Sequence, residues 1–219
     1  MNTIALGIID AQRGFMPAEE GLRLQRDGFG ELAVPDGQQI VEPVNMLLAA
    51  FAKHRLPTFT TQDWHPRQTA HFSDNPNFTT DWPVHCVDGT PGAKLHPDII
   101  KPASTVRFIK GTEPLTRGEE DTSYSAFYAE DPTTGLSLPE WLAERRVTEV
   151  ALGGLALDYC VGKSALDIRR KLGMEVTVVT DAVRGITPET CRAMIAEMEA
   201  EGIRLATSAE LRQQLEETA

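Results

Sequence analysis

VTEVALGGLALDYCVGKSALDIRRKLGMEVTVVT, residues 147–180, decides the fold class. VTEVALGG (147–154) is an apolar run of strand length, and MEVTVVT (174–180) is a β-branched run that reads as the next strand. Between them, from Cys160, apolar side chains recur at Val161, Ala165, Ile168 and Leu172, the spacing of one helical face. Strand, helix and strand in so short a stretch form a crossover unit, the building block of a parallel sheet.

The same alternation extends in both directions. Upstream, TIALGIID (3–10) reads as a buried strand. QQIVEPVNMLLAAFAKH (38–54) lines up Ile40, Val44, Leu47, Leu48 and Phe51 on one helical face, with Pro43 complicating its first turns. LPTFTT (56–61) and TVRFI (105–109) are further strands, and SLPEWLAERR (137–146) opens with Ser137 and Glu140 in capping-box spacing. Downstream, TPETCRAMIAEMEA is a helix started by Thr187 and Pro188, followed by the strand IRLAT and the closing helix TSAELRQQLEE. The expectation is an α/β fold over residues 1–219, one domain with a mostly parallel sheet and helices on both faces. Residues 14–37, rich in Gly and charge, and the Pro-rich segment 65–104 fall outside the pattern; loops this long are usually functional or hide small elements.

Composition narrows the function. The 219 residues are 41% hydrophobic and 24% charged, ordinary for a globular protein, and no run approaches the roughly 18 apolar residues of a membrane span. MNTIALGIID lacks the basic start of a signal peptide, so the expected location is the cytoplasm, with no membrane partner. A net charge of -11 argues against nucleic acid as a partner. Cys86, Cys160 and Cys191 are too few and too scattered for a disulfide framework, which leaves a free thiol.

In open α/β sheets, ligands bind beyond the carboxyl ends of the strands. Four reactive side-chain types reach that rim. Asp10 ends the first strand, Asp63 and His65 follow the second, Lys110 ends the third, and Cys160 stands where a helix begins after the fourth. Each has a plainer reading alone: Asp10 as a turn cap, Lys110 as a solvated strand end, Cys160 as a small buried hydrophobe. Together they make a nucleophile with its base. A helix N-terminus favours the Cys160 thiolate, Asp10 can take the proton, and Lys110 can keep the carboxylate ionised. Cys191, inside an amphipathic helix, reads as structural.

QDWHPRQTAHF (62–72), joined by His85 in DWPVHCV, adds one carboxylate and three imidazoles: Asp63, His65, His71 and His85. Such donors suit one divalent ion, zinc first and iron or manganese next. The plain alternative is loop histidines bonded to backbone, the reading that His54 and His96 receive.

IIDAQRGF (8–15), QDWHPRQTAHF, WPVHC (82–86), FIKGT (108–112), GLALDYCV (154–161) and VVTDAVRGI (178–186) together, in this order and spacing, resemble the nicotinamidases of the isochorismatase-like cysteine hydrolases. The resemblance runs from residue 3 to about 190. It implies that fold, a catalytic triad of Asp10, Lys110 and Cys160, and metal ligands at Asp63, His65, His71 and His85. It further implies Phe15 and Trp82 on either side of a pyridine ring, an oxyanion hole from the backbone N–H groups of Ala156 and Cys160, and a cis peptide between Leu155 and Ala156. The implied activity is hydrolysis of nicotinamide, and of pyrazinamide, to the acid and ammonia through a thioester, a step of NAD salvage and pyridine nucleotide biosynthesis. Homo-oligomer formation stays open. Two departures stand out: MPAEEGLRLQRDGFGELAVPDG (16–37) exceeds the family's compact proline-glycine loop, and Tyr159 replaces a histidine found in some relatives. The alternatives are a hydrolase of another small amide or of an N-carbamoyl or ureido compound, and a metal or thiol sensor without turnover.

Overall fold

Six strands form one parallel sheet in the order β3-β2-β1-β4-β5-β6. They are β1 (Thr3–Ile9), β2 (Thr58–Asp63), β3 (Val106–Lys110), β4 (Val147–Leu155), β5 (Glu175–Arg184) and β6 (Arg204–Ala206). The computed structural model describes residues 3–115 and 121–218. Helices among them are α1 (Ala18–Leu24), α2 (Val41–Lys53), α3 (Leu138–Glu144), α4 (Gly162–Leu172), α5 (Pro188–Ala200) and α6 (Ser208–Thr218).

Period-two alternation in β1 sorts the two cores. Ala5 and Ile9 join the cluster under α3, α4 and α5, built on Phe59, Phe108, Trp141, Leu142, Ile168 and Met198. Ile4, Leu6 and Ile8 point the other way, into the cluster under α2 and α6 with Val44, Leu47, Phe51, Leu211 and Leu215. Both sheet faces are therefore dry, as the near-continuous apolar strands require. α3 starts with the capping box read from the sequence: Glu140 N–H donates to Ser137 Oγ, and Ser137 N–H to the Glu140 carboxylate. Thr187 caps α5 with a single bond, its Oγ1 accepting from Thr190 N–H at 3.1 Å.

Several boundaries move. The expected helix over 38–54 begins as a 3-10 turn, Gly37–Ile40, and becomes α-helical only at Val41. Pro43 then lies in the first turn, where its missing N–H costs nothing. β2 runs two residues beyond the expected 56–61, so Asp63 is its last residue. β5 extends to Arg184, and residues 14–37 contain α1, a short helix that the charge-rich stretch concealed. Segment 65–104 has no helix or multi-residue strand; isolated bridges His65 to Val87, Phe72 to Trp82 and Gln12 to Leu95 hold it. Among the described residues no helix is long and apolar enough to cross a membrane.

Candidate active site

The sheet order reverses direction between β1 and β4, and there the loops part to leave a crevice at the strands' carboxyl ends. Asp10 follows β1 with a left-handed backbone, φ 45°, and is fully buried. β4 passes close enough that a side chain at Gly154 (φ 120°) would meet the carbonyl oxygen of Ile9. After the cis Leu155–Ala156 bond the chain makes a π-helical turn, Leu157–Val161, that carries Cys160 and runs into α4. The cysteine thus sits in a wider turn just ahead of α4, where a regular helix start was expected.

Lys110 joins these groups. Its Nζ lies 2.8 Å from Asp10 Oδ2 and 3.5 Å from Cys160 Sγ, donates to the Ser123 carbonyl at 2.7 Å, and makes a short ion pair with Asp63 Oδ1. A carboxylate oxygen of Asp10, one of Asp63 and Cys160 Sγ lie within 4.8 Å of one another. Thr61 Oγ1 donates to the other Asp10 oxygen at 2.7 Å, which leaves Oδ2 for the lysine and the thiol side.

The electrostatics correct one expectation. Burial pushes the Cys160 thiol well above its ordinary pKa; Lys110 opposes that shift and Asp10 adds to it. Burial thus favours the protonated thiol, so attack by the sulfur needs a base. Burial also raises Asp10 to about 6, against the pull of Lys110 and with the push of Asp63. Burial would raise Asp63 too, but Lys110 and His65 overcome it and hold that carboxyl far below the usual range. Lys110, paired with both acids, stays charged despite its burial.

Beside this network, one ring nitrogen each of His65, His71 and His85 lies within 4.8 Å of the others, and all three residues are buried. The rings of His65 and His71 stack at 4.6 Å. His65 Nε2 is buried without a hydrogen-bond partner among the described residues, 3.6 Å from Asp63 Oδ2. An orphaned imidazole nitrogen facing two further imidazoles and a carboxylate fits a divalent cation, since such a group is costly to bury unsatisfied. Burial, with the neighbouring imidazole of His65, lowers His85 to about 3, which keeps that ring a neutral donor. Asp63 is shared, one oxygen on Lys110 and the other toward His65. Gly111 (φ 64°) makes room for this arrangement: a side chain there would run into the His65 ring.

A cavity of about 40 Å³ connects the two groups. Phe15, Trp82 and Tyr124 supply aromatic walls, Leu32, Val34 and Ile186 aliphatic ones, and Cys160, Asp63, His71 and His85 the polar lining. Ala156 lines it as well. A larger cavity of about 450 Å³ opens on another side of His65 and His71 but does not reach Cys160.

Other expected bystanders stay apart. His54 ends α2, 3.4 Å from Glu216. His96 is buried with both ring nitrogens used, accepting from Asp98 N–H and facing Glu20 at 3.1 Å, while Arg23 pairs with Glu20 and Asp98. Arg23, Glu20, Asp98 and His96 together form an ion-paired latch for α1. Cys191 is half-buried in α5, and Cys86 is sealed with its thiol raised by burial. Thr61, Asp121, Ser123 and Tyr124 carry no motif, although each touches a site residue; only their nearness in sequence to Asp63 and Lys110 hints at it.

Residues 4–210 match the isochorismatase domain family. The chain belongs to that family. A nicotinamidase/pyrazinamidase of Mycobacterium tuberculosis is 34% identical over 204 residues, spanning 93% of this chain and 98% of the relative. The crystal structure of the pyrazinamidase of Pyrococcus horikoshii in complex with zinc superposes with a TM-score of 0.76 at 34% identity, covering 93% of this chain and 98% of that one. An L. infantum protein in complex with nicotinate gives 0.75 at 28% identity, over 95% and 94% of the two chains.

Proposed function

We propose that this amide hydrolase converts nicotinamide, and pyrazinamide, to the carboxylic acid and ammonia by way of a thioester on Cys160. The observation that carries the reading is Lys110 Nζ, 2.8 Å from Asp10 and 3.5 Å from Cys160, with Cys160 itself lining a small cavity whose walls also include His71 and His85. Relatives named nicotinamidase and pyrazinamidase, and a neighbour that holds nicotinate, support the substrate class.

Asp10 is the general base. With a pKa of about 6 it is ionised at neutral pH yet basic enough to accept a proton, the compromise that proton transfer favours. It takes the Cys160 proton, and the sulfur attacks the carboxamide carbon. The resulting oxyanion is stabilised by the backbone N–H groups of Ala156 and Cys160. Asp10 returns the proton to the departing nitrogen, which leaves as ammonia. It then takes a proton from water, whose hydroxide attacks the thioester carbon. The acid departs, and the proton goes back to Cys160. Lys110 compensates the buried carboxylates throughout and steadies the thiolate.

Phe15 and Trp82 hold the ring; Trp82 is fixed by its indole N–H donating to the Tyr124 hydroxyl at 2.7 Å. Asp63, His65, His71 and His85 would hold one divalent ion, zinc first and iron or manganese next. When bound, that ion supplies a Lewis-acid anchor for a ring nitrogen. Purified protein should release ammonia from nicotinamide and pyrazinamide. A higher rate on a carbamoyl amide would overturn the substrate assignment.

A further inference from the structure

Each histidine of the trio turns its Nδ1 to an oxygen acceptor. For His65 it is the Gly111 carbonyl at 3.2 Å, for His85 the Pro83 carbonyl at 2.7 Å, and for His71 the Asp121 carboxylate at 2.8 Å. Carbonyl and carboxylate oxygens only accept, so each Nδ1 carries a proton, and in the neutral ring the lone pair then falls on Nε2. His71 alone of the three has a charged acceptor.

Asp121 does more than end that bond. Its Oδ1 accepts from Ser123 N–H at 3.0 Å and from Ser123 Oγ. The carbonyl of Ser123 in turn accepts from Lys110 Nζ at 2.7 Å. One carboxylate therefore stands between a candidate metal ligand and the lysine that holds the catalytic base.

We propose that Asp121 is a positioning residue of the metal centre, which fixes His71 in the tautomer presenting Nε2, strengthens it as a donor, and ties it through Ser123 to Lys110. The inference rests on the metal reading above. Carboxylate partners of metal-bound histidines orient the ring and raise its basicity, and their loss weakens metal binding about 10- to 100-fold. A mere loop tether would give no such donor effect, because ring orientation and tautomer would survive its removal.

The test compares wild type with Asp121→Asn and Asp121→Ala. Zinc affinity is measured on metal-free protein by competition with a chromophoric chelator, and the His71 tautomer is read in the same metal-free protein from ¹⁵N shifts. Zinc should bind about 10- to 100-fold more weakly to both variants. His71 should be protonated on Nδ1 in wild type, with the Nε2-protonated form growing in the alanine variant. Wild-type zinc affinity in both variants would overturn the assignment. So would a wild-type His71 protonated on Nε2, or an alanine variant that loses zinc with its tautomer unmoved. Failure of wild type to bind zinc would instead overturn the metal reading, and the tautomer measurement, made without metal, tells the two failures apart.

Discussion

Replacing Lys110 with methionine leaves two buried carboxylates without their cation, and the consequence depends on pH in a calculable direction. Lys110 is 1% exposed, Asp10 0% and Asp63 4%, so water cannot replace the lost charge. Methionine fills most of the lysine's volume, which keeps the cavity cost small. Removing one partner of a buried ion pair costs about 3–5 kcal/mol, and the Ser123 carbonyl also loses its donor. That loss applies while both acids are ionised. Without the lysine, burial and mutual repulsion raise the folded-state pKa of Asp10 further above its unfolded value and lift that of Asp63, which Lys110 had helped hold below the usual range. An acid whose folded pKa is raised contributes stability at low pH that is lost as pH rises through that pKa. The variant should therefore trail wild type by about 3–5 kcal/mol at pH 8 and close much of that gap near pH 5, as the acids take up protons. Urea unfolding of chelator-treated protein at the two pH values measures both differences. A deficit under about 1 kcal/mol at pH 8, in the range of an exposed ion pair, would refute the reasoning. An equal deficit at both pH values would refute it as well.

Cys160→Ala should abolish hydrolysis while nicotinamide still binds and the unfolding transition stays near wild type; turnover comparable with wild type would remove the nucleophile. Below pH 6, kcat/KM should fall about tenfold per unit as Asp10 protonates, and in Asp10→Asn alkylation of the Cys160 thiol by iodoacetamide at neutral pH should slow sharply. An alkylation rate unchanged in that variant would exclude Asp10 as the base. His71→Ala should lower bound metal and nicotinamide affinity together, with Cys160 still open to alkylation; plasma emission analysis and calorimetry read the two quantities. Benzamide, which lacks the ring nitrogen, should be a far poorer substrate than nicotinamide, and equal rates on both would leave the histidine cluster without a role in binding.

The elements were legible because their signals are local. Ser137 and Glu140 announce α3, Thr187 and Pro188 announce α5, and the β-branched runs mark the strands, all within a few residues of where they act. The site was legible where chemistry concentrates: His65, His71 and His85 meet as the short spacing suggested, and Lys110 reaches both Asp10 and Cys160. What escaped depends on distant contacts. The burial that raises the Cys160 thiol comes from residues far apart in sequence, so a helix-dipole argument alone gave its thiolate too much favour. Asp121, Thr61 and Tyr124 act through single hydrogen bonds to side chains from other strands and loops, and a bond of that kind leaves no periodic trace.

Strand register explains why a two-residue error in β2 matters more than any other boundary. With the strand ending at Thr61, Asp63 would lie in a loop with no fixed neighbour. In the fold it is a strand residue paired in register with Lys110, as Thr61 is with Phe108, and both charged side chains are buried. On the other side of β1, Ile9 pairs with Gly154, so the next residue, Asp10, emerges beside the turn that bears Cys160. Three parallel pairings, β3 with β2, β2 with β1 and β1 with β4, thus bring Lys110, Asp63, Asp10 and Cys160 to one rim from four segments far apart in sequence. Side chains alternate faces along a strand, so a slip of one residue in β2 against β3 would turn Asp63 away from Lys110. The ion pair would then be lost together with the carboxylate that faces His65. The proposed catalytic and metal halves of the site therefore depend on the same register, and Asp63 is the residue through which a misplaced strand would disturb both.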